Sequence, residues 1–391
     1  MHLQTLLIVF LLSLAYGQDR QITSKINPGC EVCDGNSTLV YIKADGSHDT
    51  IHQIWDFTRN MPTVIYVIAS VQSTMDILWN GREPVKFNMS ENPLYSFAAS
   101  IDQIYEYDDC KDIGHIGSLC PRRQLPLGST SWKLVENVLT DKEAMIRMHG
   151  FYKDHNIRNN TGIIEMKLDV LPYQDYAVNL PHLIHTANST LIDVSLVNFT
   201  TTFNASRFAL HFVMVSTDHY ADSFEYTVRK SLDDEHTPGV FEIIEIKTPK
   251  TRVSGSGGFM QFRPVSYTEP ERSVSSSTNA HISEFNRTDV PDWSTLRLFY
   301  SQFDDANVLV EDMFISFGIS GDGYYKQHNY TSWSFSYGYG SPPLESVSLF
   351  VIIIIAVGMG VPVLLALSGI AYIFFRRHKH RNRPVQFSDE E

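Results

Sequence analysis

Cysteine is scarce in this chain, with four in 391 residues. That excludes a small disulfide-dense scaffold and leaves room for two bonds at most. Basic charge is also short. The chain has 31 Lys and Arg against 44 Asp and Glu, a net −13, which argues against a nucleic-acid or anionic-lipid ligand. Amphipathic helical periodicity is nearly missing: only residues 73–79 and 101–107 fit short helices. Catalytic signatures are missing too. The run Ser254-Gly255-Ser256-Gly257-Gly258 lacks the Gly-x-Ser-x-Gly spacing of a nucleophile elbow and the Lys-Ser/Thr of a phosphate loop. It reads as a flexible hairpin loop.

Charge is absent altogether from residues 349–375, and that absence is informative. This apolar run is long enough to cross about 30 Å of hydrocarbon with some tilt. Arg376, Arg377, Lys379, Arg381 and Arg383 follow at once and place the C-terminus in the cytosol. At the other end, residues 1–17 read as a secretory signal peptide. Residues 6–14 form its apolar segment, and Ala15-Tyr16-Gly17 supplies small residues for cleavage. The two ends agree on a single-pass type I topology. Residues 18–348 form the lumenal domain, 349–375 the transmembrane helix and 376–391 a basic tail. The tail carries five basic and three acidic residues, so the rest of the chain holds −15. Gly338-Tyr339-Gly340-Ser341-Pro342-Pro343 is a short, stiff spacer that predicts a domain held close to the bilayer.

Eight Asn-x-Ser/Thr sequons lie in the lumenal segment, at Asn36, Asn88, Asn159, Asn188, Asn198, Asn204, Asn286 and Asn329. Behind a signal peptide they predict a glycoprotein and mark solvent-facing positions. Asn188, Asn198 and Asn204 are close in sequence and predict one shielded stretch. The cysteines Cys30, Cys33, Cys110 and Cys120 allow three pairings, of which the local pairs Cys30–Cys33 and Cys110–Cys120 are favoured. A Cys-x-x-Cys redox motif would need a helix N-terminus after a strand. Here Asn27-Pro28-Gly29 precedes it, which favours a staple, and the lumenal compartment disfavours a four-cysteine zinc site.

Between the ends the pattern alternates with period two. Ile164, Met166, Leu168 and Val170 alternate with Glu165, Lys167 and Asp169. Residues 208–214 and 192–196 behave alike, as one buried and one wet face require. Apolar and β-branched runs at 39–42, 63–69, 240–246, 259–267, 296–300 and 313–319 add strands. Asp45-Gly46, Asn80-Gly81 and Gly321-Asp322-Gly323 supply turns. The class is mainly β: a sandwich-like lumenal domain plus one transmembrane α-helix. Residues 172–181 look like a connection between two lobes, 18–180 and 181–343, and residues 266–291 read as a long exposed loop. Few groups suggest chemistry. His182 and His185 have no acidic neighbour in sequence. Asp233-Asp234-Glu235-His236 could hold calcium or transfer protons, though an acidic turn is the simpler reading. Ala356 and Gly360 form a small-xxx-small pair that lets another helix approach closely.

Longer stretches are familiar. Val40-Tyr41-Ile42-Lys43-Ala44 and Ile54-Trp55 come first, then Ser231-Leu232-Asp233-Asp234-Glu235-His236-Thr237-Pro238-Gly239-Val240-Phe241. Phe262-Arg263-Pro264-Val265-Ser266-Tyr267 follows, then Phe317-Gly318-Ile319-Ser320, Gly323-Tyr324-Tyr325, Gln327-His328 and Ser332-Trp333-Ser334. In that order they resemble the glycosylated lysosomal membrane protein family. The resemblance implies residence in the lysosomal membrane and no known catalysis or cofactor. It also implies a partner: a multi-pass transporter of the major facilitator superfamily that exports small peptides, shielded from proteases by the glycosylated subunit. A cell-surface receptor or adhesion domain, and a membrane-tethered lumenal hydrolase, are the competing readings. Two features depart from the vertebrate members. Those carry their cysteines in the second half of the lumenal domain, whereas all four lie in the first half here. Their tails end in a tyrosine-based sorting signal. This tail has no tyrosine, and Tyr372 lies inside the apolar run; Ser388-Asp389-Glu390-Glu391 is the acidic alternative.

Overall fold

The computed structural model describes residues 20–381, except 35–36, 118, 154–160, 179, 181–182, 232–240, 264–265 and 345–348. The signal segment, Asn36, Asn159, His182, residues 233–236 and the tail from residue 382 lie outside the described residues. The chain forms two compact units, Met1–Pro343 and Leu344–Glu391.

The first unit is an antiparallel β-sandwich, with strands numbered along the chain. One sheet runs in the order β1 (Gln21–Ile26), β2 (Leu39–Asp45), β3 (Thr50–Asp56), β4 (Thr63–Ala69), β7 (Tyr95–Asp108), β15 (Ser206–Ser216), β23 (Leu309–Phe317) and β21 (Ala280–Ile282). β8 (Arg122–Pro126) adds to β7 and β22 (Asn286–Arg287) to β23. The second sheet runs β16 (Glu225–Ser231), β17 (Phe241–Lys247), β18 (Gly258–Phe262), β24 (Tyr330–Tyr339), β14 (Ser189–Val197), β11 (Thr161–Val170), β10 (Ala144–Lys153) and β9 (Thr130–Leu139). β19 (Ser266–Tyr267) and β20 (Ser277–Thr278) extend it beside β24. Two small hairpins, β5 (Met75–Asn80) with β6 (Glu83–Met89) and β12 (Asp175–Tyr176) with β13 (Ile184–His185), stand apart.

Sequence alternation becomes packing directly. In β11 the residues Ile164, Met166 and Leu168 are buried while Glu165 and Lys167 are half-exposed. Inner faces meet through aromatic rings: Tyr66 and Phe97 pack on Tyr337 at 5.3 and 4.6 Å, and Phe212 on Phe335 at 5.9 Å. β4 reads Thr-Val-Ile-Tyr-Val-Ile-Ala and is buried throughout. Val64, Tyr66 and Ile68 face the inter-sheet core; Ile65 and Val67 face a second core on the outside of the sheet. Helix α2 (Thr295–Tyr300) and the β5–β6 hairpin supply Leu296, Phe299, Ile77 and Phe87 to that second core. A six-residue helix, α1 (Pro249–Ser254), closes the turn after β17.

Several expectations are corrected. Residues 172–181 do not separate two lobes. β14 pairs with β11 and β15 with β7 across that point, so both halves share both sheets. Residues 73–79 lie largely in β5, turned back at Asn80-Gly81, where Gly81 has φ 63°. Residues 101–107 belong to β7. A register shift opposite His211/Phe212 leaves Asp102 unpaired, and this bulge spaces Ile101 and Ile104 three apart like a helix. Residues 296–300 are a helix and not a strand. Ser294 caps it, its hydroxyl accepting from the Arg297 N–H at 3.1 Å, and Leu296, Phe299 and Tyr300 fall on one buried face. Residues 266–291 are not one exposed loop. They contain β19 to β22, with Tyr267, Ala280 and Ile282 buried. Strands of two or three residues carry too few apolar side chains to show a period.

Candidate functional site: a sequon-bearing pole

The long strands of the sandwich run from one pole to the other. β14 is nine residues long, so its ends lie roughly 30 Å apart. Asn188 precedes β14 and Asn198 follows it. The expected grouping of Asn188 with Asn198 and Asn204 is therefore broken by the strand between them. A different group forms instead. The Asn198 N–H donates to the Asn329 carbonyl at 2.8 Å. Lys326 Nζ donates to Asn204 Oδ1 at 3.3 Å. The Thr200 N–H donates to the Thr161 carbonyl at 3.0 Å, which joins the hydroxyl residue of the Asn198 sequon to that of Asn159. Asn198, Asn204 and Asn329 are all exposed.

Local backbone explains why asparagines sit at this pole. Asn198 and Asn329 have φ 53° and 50°, the left-handed region that asparagine tolerates better than most residues. Tyr325 anchors them from beneath. Its buried hydroxyl accepts from the Phe199 N–H at 3.0 Å and lies 2.9 Å from the Asn329 carbonyl. Asn88 is half-buried on β6, and Asn286 is exposed on β22. Asn188 is the most enclosed of the described sequons. Its Oδ1 accepts from Arg20 Nε at 2.5 Å, and Thr190 is buried between the Tyr66 hydroxyl and Gln53.

Beside this pole lies an ionic clamp that the sequence does not advertise. Arg207 is buried. Its Nε donates to Asp109 at 2.8 Å, and its Nη2 donates to Asp112 at 2.9 Å and Asp322 at 2.7 Å. Tyr324 stacks over the guanidinium at 5.2 Å. The Gly321 N–H, with Arg207 behind it, holds the Asp112 carboxyl below its usual range. The clamp ties the loop after β7 to the loop after β23. Gly114 packs directly on Gly318, whose φ is 143°, and a side chain at either position would meet backbone or Arg207. The only sequence signal is the Phe317-Gly318 and Gly323-Tyr324 motif, which gives no hint of its charge partners.

Cys30 and Cys33 form a disulfide. Cys110 and Cys120 are neighbours and carry no bond in this structure, and Cys110 is exposed. They flank the loop that begins beyond the last β7–β8 rung, Tyr107 opposite Arg122. The hydrogen bond to Cys120 pushes the Cys110 thiol pKa up.

Two histidines are held by polar neighbours. His211 Nδ1 lies 2.6 Å from Asp102 and its Nε2 3.6 Å from Asp312, so both ring nitrogens face carboxylates. Its ring packs on Phe314 at 4.6 Å. His185 Nδ1 is bonded to the Tyr173 carbonyl at 2.8 Å. Among the described residues, no three His, Cys, Asp or Glu side chains come together in a way that could hold a metal.

The chain stays docked on the sandwich as far as Pro343, whose carbonyl accepts from Gln261 Nε2 at 3.1 Å. The second unit contains helix α3 (Leu349–Arg381), apolar enough to cross a membrane over Ile352–His378. Ala356 and Gly360 lie four apart on one of its faces, and Pro362 interrupts its hydrogen-bond ladder.

The family model for glycosylated lysosomal membrane protein matches residues 38–380, most of the chain. The chain belongs to this family. Glycosylated lysosomal membrane protein A of Xenopus laevis is 27% identical over 336 residues, covering 81% of this chain and 80% of its own length. The family member of Bos taurus is 27% identical over 353 residues, with 85% and 82% covered, and that of Homo sapiens 25% over 320 residues, with 76% and 73% covered. As a member of this family the chain is a lysosomal membrane glycoprotein, with a large N-terminal domain and a single C-terminal apolar helix.

Proposed function

We propose that the chain is a non-catalytic accessory subunit that binds, stabilises and shields a multi-pass lysosomal transporter of the major facilitator superfamily. One observation carries the reading most directly. Asn198, Asn204 and Asn329 gather at one pole, and β24 runs from Asn329 to the opposite pole, where the chain leaves the sandwich after Pro343. Glycans on the pole opposite Pro343 would cover that surface against a lumenal protease. The pole at which the chain leaves the sandwich carries, among the described residues, the enclosed sequon at Asn188 and is the end we assign to a partner. On the helix, Ala356 and Gly360 offer the close-approach face.

The test uses the full chain in cells. Deleting it should deplete the transporter protein with its message unchanged, and re-expression should restore it. Both proteins should co-purify in mild detergent, and Ala356→Leu with Gly360→Leu should weaken that association. Unchanged transporter abundance together with no co-purified multi-pass protein would sink the proposal. Confinement of the tagged chain to the plasma membrane would favour the receptor reading instead.

A further inference from the structure

Val310 and Asp312 lie in line on the outer face of β23, with Val308 just before the strand, and β22 lies against it with Asn286 opposite Asp312. Thr288 continues β22, its N–H reaching the Val310 carbonyl at 3.4 Å. Asn286 and Thr288 are two residues apart on an extended chain, so both side chains leave the same face about 7 Å from each other. Thr288 lines a cavity of about 470 Å³ that Val308 and Val310 floor. Asn286 therefore stands at its rim.

The cavity has the lining a sugar needs. Its volume falls in the roughly 300–1,000 Å³ range of sites that hold small ligands. Tyr220 is exposed at its edge, with Arg287 over the ring at 4.8 Å. Asp289, Arg297 and Asp305 also line it, and they make no ion pair among the described residues. Unengaged carboxylates and a guanidinium beside a tyrosine ring offer acceptors and donors to hydroxyl and acetamido groups, and an apolar surface to the C–H face of a pyranose.

We infer that this cavity holds the first sugars of the N-linked glycan carried by Asn286 of the same chain. The glycan is tethered at the rim, so its effective concentration is high and modest contacts suffice. The Asn286 amide keeps one N–H when glycosylated, and its Nδ2 already lies 3.3 Å from Asp312 Oδ1, which fixes the direction of the first bond. Asn204 is exposed on the sequon-bearing pole, and unlike the Asn286 sequon, which contributes Thr288, no residue of its sequon lines this cavity. This inference rests on Asn286 being one of the glycosylated sites. It is independent of any membrane partner.

The experiment is native removal of N-glycans from the purified full chain by an amidase, followed by site-resolved mass spectrometry. The Asn286 glycan should be released roughly tenfold more slowly than the Asn204 glycan, the effect of about 1.4 kcal/mol of docking. Tyr220→Ala and, separately, Arg297→Ala should raise the Asn286 rate to that of Asn204 and leave Asn204 unchanged. Both positions are exposed or half-exposed, and an unaltered melting curve confirms the fold. Equal rates in the wild-type chain, no response to either variant, or an unmodified Asn286 would each overturn the inference. None of these outcomes depends on whether the chain protects a transporter.

Discussion

His52 is fully buried, with Nδ1 2.8 Å from the Tyr41 hydroxyl and Nε2 2.6 Å from Ser73. Burial, helped by Lys43, lowers its pKa to about 4. An unfolded histidine titrates near 6.5. Between those values the unfolded chain takes up a proton that the folded chain refuses, so this residue makes stability fall as pH falls. The loss is about 2 kcal/mol by pH 5 and on the order of 3 in the limit. His52→Gln should therefore lose about 2 kcal/mol less than wild type between pH 7 and pH 5, measured by urea unfolding at each pH. Equal losses would show that His52 does not titrate in this window. Asp56 and Asp169 act with the opposite sign. Burial raises both carboxyl pKa values, so the stability they contribute is present in acid and is lost as pH rises through those raised values. A lysosomal protein gains from that second kind of group. Arg207 makes a different prediction. Arg207→Met leaves Asp109, Asp112 and Asp322 without their cation and should cost about 3–5 kcal/mol. If the melting temperature barely moves, the clamp is not structural.

Helix α2 is only six residues long and could not hold its shape in isolation. The sandwich holds it, through Leu296, Phe299 and Tyr300 against the outer core. Phe299 meets Phe87 of the β5–β6 hairpin at 5.9 Å and Phe303 at 5.7 Å. Phe299→Ala should cost about 3–5 kcal/mol and should loosen the hairpin together with the helix, seen as faster amide exchange in residues 75–89 and 295–300. Exchange rising in the helix alone would show that the two elements are not coupled. The same region explains where sequence reading stops. β4 and β11 were legible because each residue's face follows from its parity along the strand. α2 was not, because Leu296, Leu298 and Tyr300 alternate like a strand while Leu296, Phe299 and Tyr300 fit a helix face; the Ser294 cap was the overlooked signal. β7 misled through the bulge at Asp102, which turns a period of two into a step of three. The pole was half legible. Sequons are visible as words, but Asn329 joins Asn198 only through the β14–β24 pairing, which has no local signature.

Along the strand axis the sandwich has two different ends. The end carrying Asn198, Asn204 and Asn329 is held by backbone bonds and by Tyr325. The other end holds Pro343 and the route to helix α3. If glycans at the first end act as a shield, their loss should change proteolysis without changing the fold. The choice of variants matters. Asn198 and Asn329 adopt left-handed backbone, so replacing the asparagines themselves would add strain that confuses the result. Thr200→Val and Thr331→Val remove those sequons and leave both turns intact, and Asn204→Gln removes the third. Against a lysosomal protease mixture at acidic pH, the triple variant should be cleaved roughly fivefold faster or more, with a melting temperature within about 2 °C of wild type. Removing the Asn88 sequon with Asn88→Gln, on a separate hairpin, supplies the control for general glycan loss. Faster cleavage with a lowered melting temperature would assign the effect to stability. Unchanged cleavage would refute the shield, whatever the chain does for its partner. Fast cleavage in the triple variant alone would tie protection to this pole, because both variants lose glycan and only one exposes the end farthest from Pro343.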